Sequence, residues 1–382
     1  MAGFATALSQ SRAPAACFVG MGATWGTFMA TMPDIKAALG VADGAMGVLL
    51  IWGSVAAIAM MSLAPRLGTP LGRAALPGFA LLMGAALALM AGARGPLAFA
   101  LALAAMGAAS GALDVFMNAR LSAIEAARGR SLMNLNHALY SLAFAAAAAW
   151  TGAARAAGWS VTAILATTAL LVLTLATLAL EREGRIDGLG GGSGTTRRPL
   201  GLVPVLGGLL ILAGLMSENA VEAWSALYVE RDLGGATGAG SYAPALMALT
   251  MGLGRLAGQA VATRIADRHL LRGGLVIAAL GVALVIVART PLSAYAGFVV
   301  MGLGGSVVVP TAMAMIGRLS APDRRSRAIA RASVLGYIGY FVGPPMLGFA
   351  AELAGLRASF AIIALILLAG LGVATRLARI DR

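Results

Sequence analysis

Residues 74–93 read AALPGFALLMGAALALMAGA, twenty residues without one charged or hydrogen-bonding side chain, set between Arg73 and Arg94. A helix of that length rises about 30 Å, the thickness of the hydrocarbon core of a bilayer. A soluble surface helix needs a polar face, and this run has none. It is a membrane span, and the fold depends on how many others accompany it. Working outward, comparable runs lie near 13–31, 45–64, 96–117, 131–153 and 158–180. After a polar break they resume near 203–228, 243–263, 273–288, 291–317, 328–351 and 357–375. The first is read as a span and not a signal peptide, because it is long and no small-residue cleavage site precedes a soluble domain. The expectation is an all-α membrane protein with twelve transmembrane helices in two pseudo-symmetric six-helix bundles.

Composition agrees. Of 382 residues, 60% are hydrophobic and 11% charged, against about 25% charged in a soluble domain. That is too little charge to coat a soluble surface, which excludes a cytosolic enzyme, a disordered chain and, with Cys17 as the single cysteine, a disulfide scaffold. The only histidines are His137 and His269, and no Cys/His spacing suits a metal. No cofactor or metal is expected.

The net charge of +13 suggests nucleic acid until its placement is read. With the N-terminus cytoplasmic, 21 of the 28 basic residues fall on that side. Lys36, Arg94, Arg155, Arg231, Arg289 and Arg357 fall opposite, and Arg255 lies inside a span. Cytoplasmic loops are enriched in Lys and Arg, so the charge is a topology signal whose partner is anionic lipid. No nucleic-acid partner is expected, both termini are placed in the cytoplasm, and the chain is expected to be monomeric.

The longest polar stretch, Glu181 to Pro199, carries Gly190 to Gly194 with one serine and has the composition of a flexible linker. It predicts bundles over 1–180 and 201–382 joined by a cytoplasmic linker over 181–200. The halves echo one another. Each has an arginine-bearing loop between its second and third spans (Arg66 to Arg73, Arg264 to Arg268) and a tyrosine early in its fifth, Tyr140 and Tyr337. Two similar halves around a midplane site is transporter architecture.

Three stretches carry a closer likeness: Gly111 to Asn118 running through Glu125 and Arg130 to His137; Glu218 to Tyr228; and Gly336 to Pro345 with Gly348, Ala351 and Glu352. On these the chain resembles the major facilitator superfamily, and within it the bacterial rhizopine-permease-like branch. The resemblance implies that fold, a bacterial inner (plasma) membrane location, and a small polar solute, sugar- or inositol-like. It also implies gating loops. Gly72-Arg73 remain from the family's loop signature in the first half, where Thr69-Pro70 stand in place of the acid and arginine; Gly258 and Asp267-Arg268 approximate it in the second. In the family this acid latches onto a helix start, which for Asp267 would be the region of Ser131.

The resemblance further implies that spans one, four, seven and ten line a central cavity. Ionisable groups inside spans are costly and face a cavity or a partner. Arg255 either holds an anionic or polyhydroxyl part of the solute, or exchanges partners as the halves rock, or forms a permanent ion pair that stabilises its half. Glu218 and Glu222, spaced i, i+4, share a helix face, and a carboxylate in an apolar cavity can carry a proton across. Trp224 is either a wall for a ring or, with Glu222 and Tyr228, part of an interfacial belt. Asp114 and Asn118, with Asn134, His137 and Ser141, form either a proton relay or a fixed network closing the inner mouth with Arg120, Glu125 and Arg130. Trp25, with Thr24, Thr27 and Thr31, offers stacking and hydroxyl contacts, or plain helix packing. Gly302, Gly304, Gly305, Pro310 and Gly343-Pro344-Pro345 are hinge candidates.

The expected function is a secondary transporter working by alternating access, most simply a proton-coupled symporter, since no nucleotide-binding loop is present. Its expected partners are the solute, protons and membrane lipids. Alternatives are a multidrug or metabolite exporter and a non-transporting membrane sensor. No nucleophile–base pair points to an enzyme.

Overall fold

A computed structural model describes residues 2–129, 132–181, 200–261, 265–321 and 324–380. Among these, twelve long helices stand where twelve spans were expected: α1 (Arg12–Ala30), α2 (Asp43–Leu71), α3 (Ala75–Ala91), α4 (Pro96–Arg128), α5 (Met133–Ala156) and α6 (Val161–Leu178), then α7 (Val203–Leu227), α8 (Tyr242–Val261), α9 (Asp267–Val287), α10 (Pro291–Leu319), α11 (Arg325–Ala354) and α12 (Leu356–Ile380). Short helices Ala2–Gln10 and Met32–Leu39 flank α1. Nine of the described helices are long and apolar enough to cross a membrane on length and hydropathy alone. The other three, α1, α5 and α8, carry the Thr, Asn, His, Trp and Arg side chains that dilute apolarity.

Several helices outrun the expected spans. At about 1.5 Å per residue, the 33 residues of α4 exceed the roughly 30 Å core, so its C-terminal turns extend past it. The linker expected over 181–200 lies, for residues 182–199, outside the described residues, as do Arg130, Ser131 and Arg264.

The chain divides into two compact units, Met1–Val41 with Leu49–Gly191, and Ala42–Val48 with Gly192–Arg382. Each repeats one packing scheme. In the first, α1 lies along α5 and α6, and α3 along α4 and α6; in the second, α7 lies along α11 and α12, and α9 along α10 and α12. Lipid is as apolar as leucine, so such helices associate through close packing at small residues. Gly22 and Gly26 let α1 touch the backbone of α5, where a Cβ would sit 2.3 Å from the carbonyl oxygens of Tyr140 and Phe144. Gly107 and Gly111 do the same for α4 against Gly53 and Ala57 of α2. In the second unit Gly281 and Gly304 hold α9 against α10.

A Cβ on Gly107 would meet the carbonyl oxygen of Gly53 at 2.1 Å, and a backbone atom cannot swing away. Gly107→Ala is expected to destabilise the first unit by about 1–3 kcal/mol, the usual cost of overpacking. Gly305→Ala, where a Cβ would meet nothing within 4 Å, is the control. Thermal unfolding in detergent should show a lowered midpoint for the first and none for the second.

Three ion pairs fasten helix ends that the sequence treated as outer loops. Arg155, only 3% exposed, holds Asp34 through Nε and Nη2 at 2.6 and 2.8 Å and reaches the Ala30 carbonyl. In the second unit Arg231 pairs with Asp43 at 2.7 Å and Asp232 at 2.8 Å, and Glu352 accepts the Gly44 amide. Arg155, assigned above to the outer side as a topology charge, is a buried structural cation.

Candidate functional site

In the first unit, α4 presents Ser110, Asp114 and Asn118 at i, i+4 and i+8, one face of the helix. Trp25 of α1 donates from Nε1 to Ser110 at 3.0 Å, and Ser110 donates on to the Met21 sulfur. One turn along, Asn118 donates from Nδ2 to the Asp114 carbonyl (2.7 Å) and carboxylate (3.1 Å). Its amide oxygen lies 3.1 Å from His137 Nε2 of α5. An amide oxygen only accepts, so this contact places the imidazole proton on Nε2. Phe18 closes the far side of the ring at 4.8 Å. The expected Asp114–Asn118–His137 group is therefore assembled, with Ser141 donating to the His137 carbonyl.

Two other members of the expected inner network have partners of their own, and Arg130 lies outside the described residues. Glu125 instead accepts the Leu132 and Met133 amides, satisfying orphan donors at the start of α5. Arg120 pairs with Glu181 at 2.8 Å. Asn134 is exposed; Asn136, which the sequence reading passed over, is buried with its amide oxygen unpartnered. Helical phase explains the exchange, since positions two apart point about 200° apart, nearly to opposite sides of α5.

In the second unit Arg255 of α8 stands beside the acids of α7. Its Nη2 lies 3.6 Å from Glu218 Oε1, with the side chains 28% and 14% exposed. Glu222, one turn on, is close enough to interact electrostatically with both. Two carboxyls thus share one guanidinium among apolar helices, and the trio is neutral only with one carboxyl protonated. Next to it, Asn219 is buried with an unpartnered amide oxygen, 3.5 Å from where a Cβ on Gly343 would stand. Asn219 adjoins Glu218 in sequence, and that adjacency was the available signal.

Trp224 and Tyr228 require correction. Trp224 is 1% exposed, its ring filling the space that a side chain at Gly348 would need, so it presents no face to a solute. Tyr228 is fully buried, donates to the Val285 carbonyl at 2.8 Å and stacks edge-on with Phe360. It belongs to the core and not to an interfacial belt, because a backbone carbonyl at the end of α9 satisfies its hydroxyl. Tyr337 is partly buried on α11, 6.3 Å from the Tyr340 ring.

The gating residues are helix ends. Gly72 and Arg73 form a 3₁₀ turn between α2 and α3, with Gly72 at φ 49°. Asp267 and Arg268 open α9, where the acid suits the positive helix end. The partner of Asp267 is Arg318 of α10, an ion pair inside the second unit, whereas the expected Ser131 region lies outside the described residues.

Comparisons with known proteins fit this geometry. The family model described as Major Facilitator Superfamily matches residues 206–382. An uncharacterized MFS-type transporter of Yersinia pestis is 30% identical over 347 residues, covering 88% of each chain. Among solved structures, a mutant form of the nucleoside transporter NupG superposes with a TM-score of 0.78 at 13% identity, covering 98% of this chain and 100% of that one. The D-xylose-proton symporter superposes with a TM-score of 0.74, also at 13% identity, covering 95% and 96%.

Proposed function

Because the chain belongs to the major facilitator superfamily, whose members are transporters and not enzymes, we propose that it carries a small polar organic solute across a bacterial inner membrane by proton-coupled alternating access. The two bundles, 1–180 and 201–382, rock about a midplane site while the 181–200 linker and both termini stay in the cytoplasm.

One observation carries this reading, the Glu218–Glu222–Arg255 trio. A charge inside a span is costly and needs a partner, and here two acids compete for a single cation. A proton arriving on Glu218 releases Arg255 from that pair; the guanidinium then holds a solute oxygen or Glu222. Departure of the proton restores the pair and frees the solute. Such an exchange links proton movement to solute affinity without any covalent step. The α4 stripe, with Trp25, Asp114, Asn118 and His137, supplies a second set of hydrogen-bonding groups suited to hydroxyls. The chemistry of a ribose- or xylose-like polyol, as in the substrates named for the two solved relatives, matches a site made of acids, an arginine and an amide better than a greasy drug does.

The test is a solute screen with purified protein in liposomes, with and without an inward-directed pH gradient. Sugars, inositols and nucleosides should include one that accumulates only with the gradient. Accumulation confined to amphipathic cations, in exchange for protons, would replace this reading with the exporter.

A further inference from the structure

Away from both polar stripes, the first unit holds a cavity of about 490 Å³ beside the last turns of α4. Ser9 and Gln10 of the first short helix, Arg12 at the start of α1, Arg120 and Arg128 of α4, and Glu181 beyond α6 supply its polar walls. Three guanidinium groups therefore surround one carboxylate. Arg120 is committed to Glu181. Arg12 donates from Nη2 to the Leu180 carbonyl at 2.6 Å, which fixes its stem, and it makes no ion pair among the described residues. Arg128 is exposed and makes no ion pair among the described residues. Among the described residues the cavity lining thus carries an excess of two positive charges. Gln10, on the cavity wall, has a buried Oε1 with no hydrogen-bond partner among the described residues.

Those two features together specify a ligand. The excess charge calls for an anion, and planar guanidinium forks match the oxygens of a phosphate. The lone amide oxygen calls for a donor, which a bare anion lacks. We propose that this cavity binds a phosphate group bearing at least one hydroxyl, with the phosphate on Arg12 and Arg128 and the hydroxyl on Gln10. Two sources offer that chemistry: the phosphoglycerol headgroup of an anionic lipid, and soluble hydrogen phosphate or a phosphate monoester. The rim speaks for the lipid. Leu8 and Leu180, next to lining residues in sequence, and Leu178, three positions before Glu181, are 38%, 59% and 44% exposed, an apolar border along which acyl chains can lie. The volume is within the range of small-ligand sites, roughly 300–1,000 Å³. The site does not depend on proton coupling at Glu218.

The experiment measures thermal unfolding of the full chain in detergent at constant ionic strength. The additives are dioleoyl-phosphatidylglycerol, dioleoyl-phosphatidylcholine, glycerol 3-phosphate and inorganic phosphate. At a hundredfold excess over Kd, a bound ligand should raise the midpoint by about 5 °C. Phosphatidylglycerol is expected to do so and phosphatidylcholine is not; Arg128→Gln should weaken the response and Arg12→Gln with Arg128→Gln should remove it. A response to glycerol 3-phosphate or phosphate without one to phosphatidylglycerol keeps the site and assigns it to a soluble ligand. Equal responses to the two lipids, or no response to any phosphate, would overturn the proposal. If the double variant does not fold, an undiminished phosphatidylglycerol shift in Arg128→Gln alone is enough to overturn it.

Discussion

Glu218→Gln is expected to abolish solute accumulation driven by a pH gradient while leaving downhill exchange of solute intact. Glutamine keeps the shape and the hydrogen-bonding reach of the side chain and removes only the site where a proton can land. With one proton per solute, each pH unit of gradient supports about tenfold accumulation, since a factor of ten corresponds to about 1.4 kcal/mol. The variant should show an inside-to-outside ratio of about 1 at any gradient, because the coupled driving force has no route into solute binding. The measurement is radiolabelled solute in proteoliposomes from pH 5.5 to 8, paired with counterflow at equal pH. Accumulation in the variant equal to wild type would remove Glu218 from the coupling role; loss of counterflow as well would make it a binding residue instead. Glu222→Gln is the companion, since the two acids compete for the same guanidinium 3.6 Å from Glu218.

Arg255→Ala should have the larger effect on stability. It leaves Glu218 and Glu222 one helical turn apart with no cation between them. Removing one partner of a buried pair costs about 3–5 kcal/mol. Arg255 is 28% exposed, so some hydration compensates, and about 1–3 kcal/mol is the expected loss. The consequence is a lowered unfolding midpoint and no measurable transport. The double variant Arg255→Ala with Glu218→Gln separates the two effects. It should recover most of the stability, because one like charge has gone, and remain inactive, because the exchangeable pair has gone. If Arg255→Ala unfolds at the wild-type midpoint and transports normally, the trio has no part in either property.

The candidate site was partly legible before any coordinates. Glu218 and Glu222 could be paired by helical spacing alone, and Arg255 stood out because a charge inside an apolar run is conspicuous. Asp114 and Asn118 were found the same way. Partners contributed by other helices were harder to find. Nothing local says that Ser110 meets Trp25, 85 residues away, or that Arg155 reaches back to Asp34 across 121 residues. Trp224 and Tyr228 show the opposite error: aromatic residues near a span end have the composition of an interfacial belt, but a glycine on α11 and a carbonyl on α9 draw them into the core. Asn134 and Asn136 are two positions apart and on opposite sides, which composition cannot resolve without the phase of α5.

What the sequence alone determined is the solvent. An all-apolar twenty-residue run must satisfy its backbone internally, which in lipid means a helix, and twelve mostly apolar runs with alternating arginine content in their loops leave little choice of architecture. The repetition of loops and the break at the linker then make two halves the natural division. Only the tertiary structure decided which costly side chains meet. Helix phase and crossing place a guanidinium from α8 against acids from α7, an amide from α4 against an imidazole from α5, and three arginines around one cavity. Spans are specified by local transfer free energy summed along the chain. Contacts between spans depend on glycine-sized clearances between distant segments, and those are properties of the packed bundle.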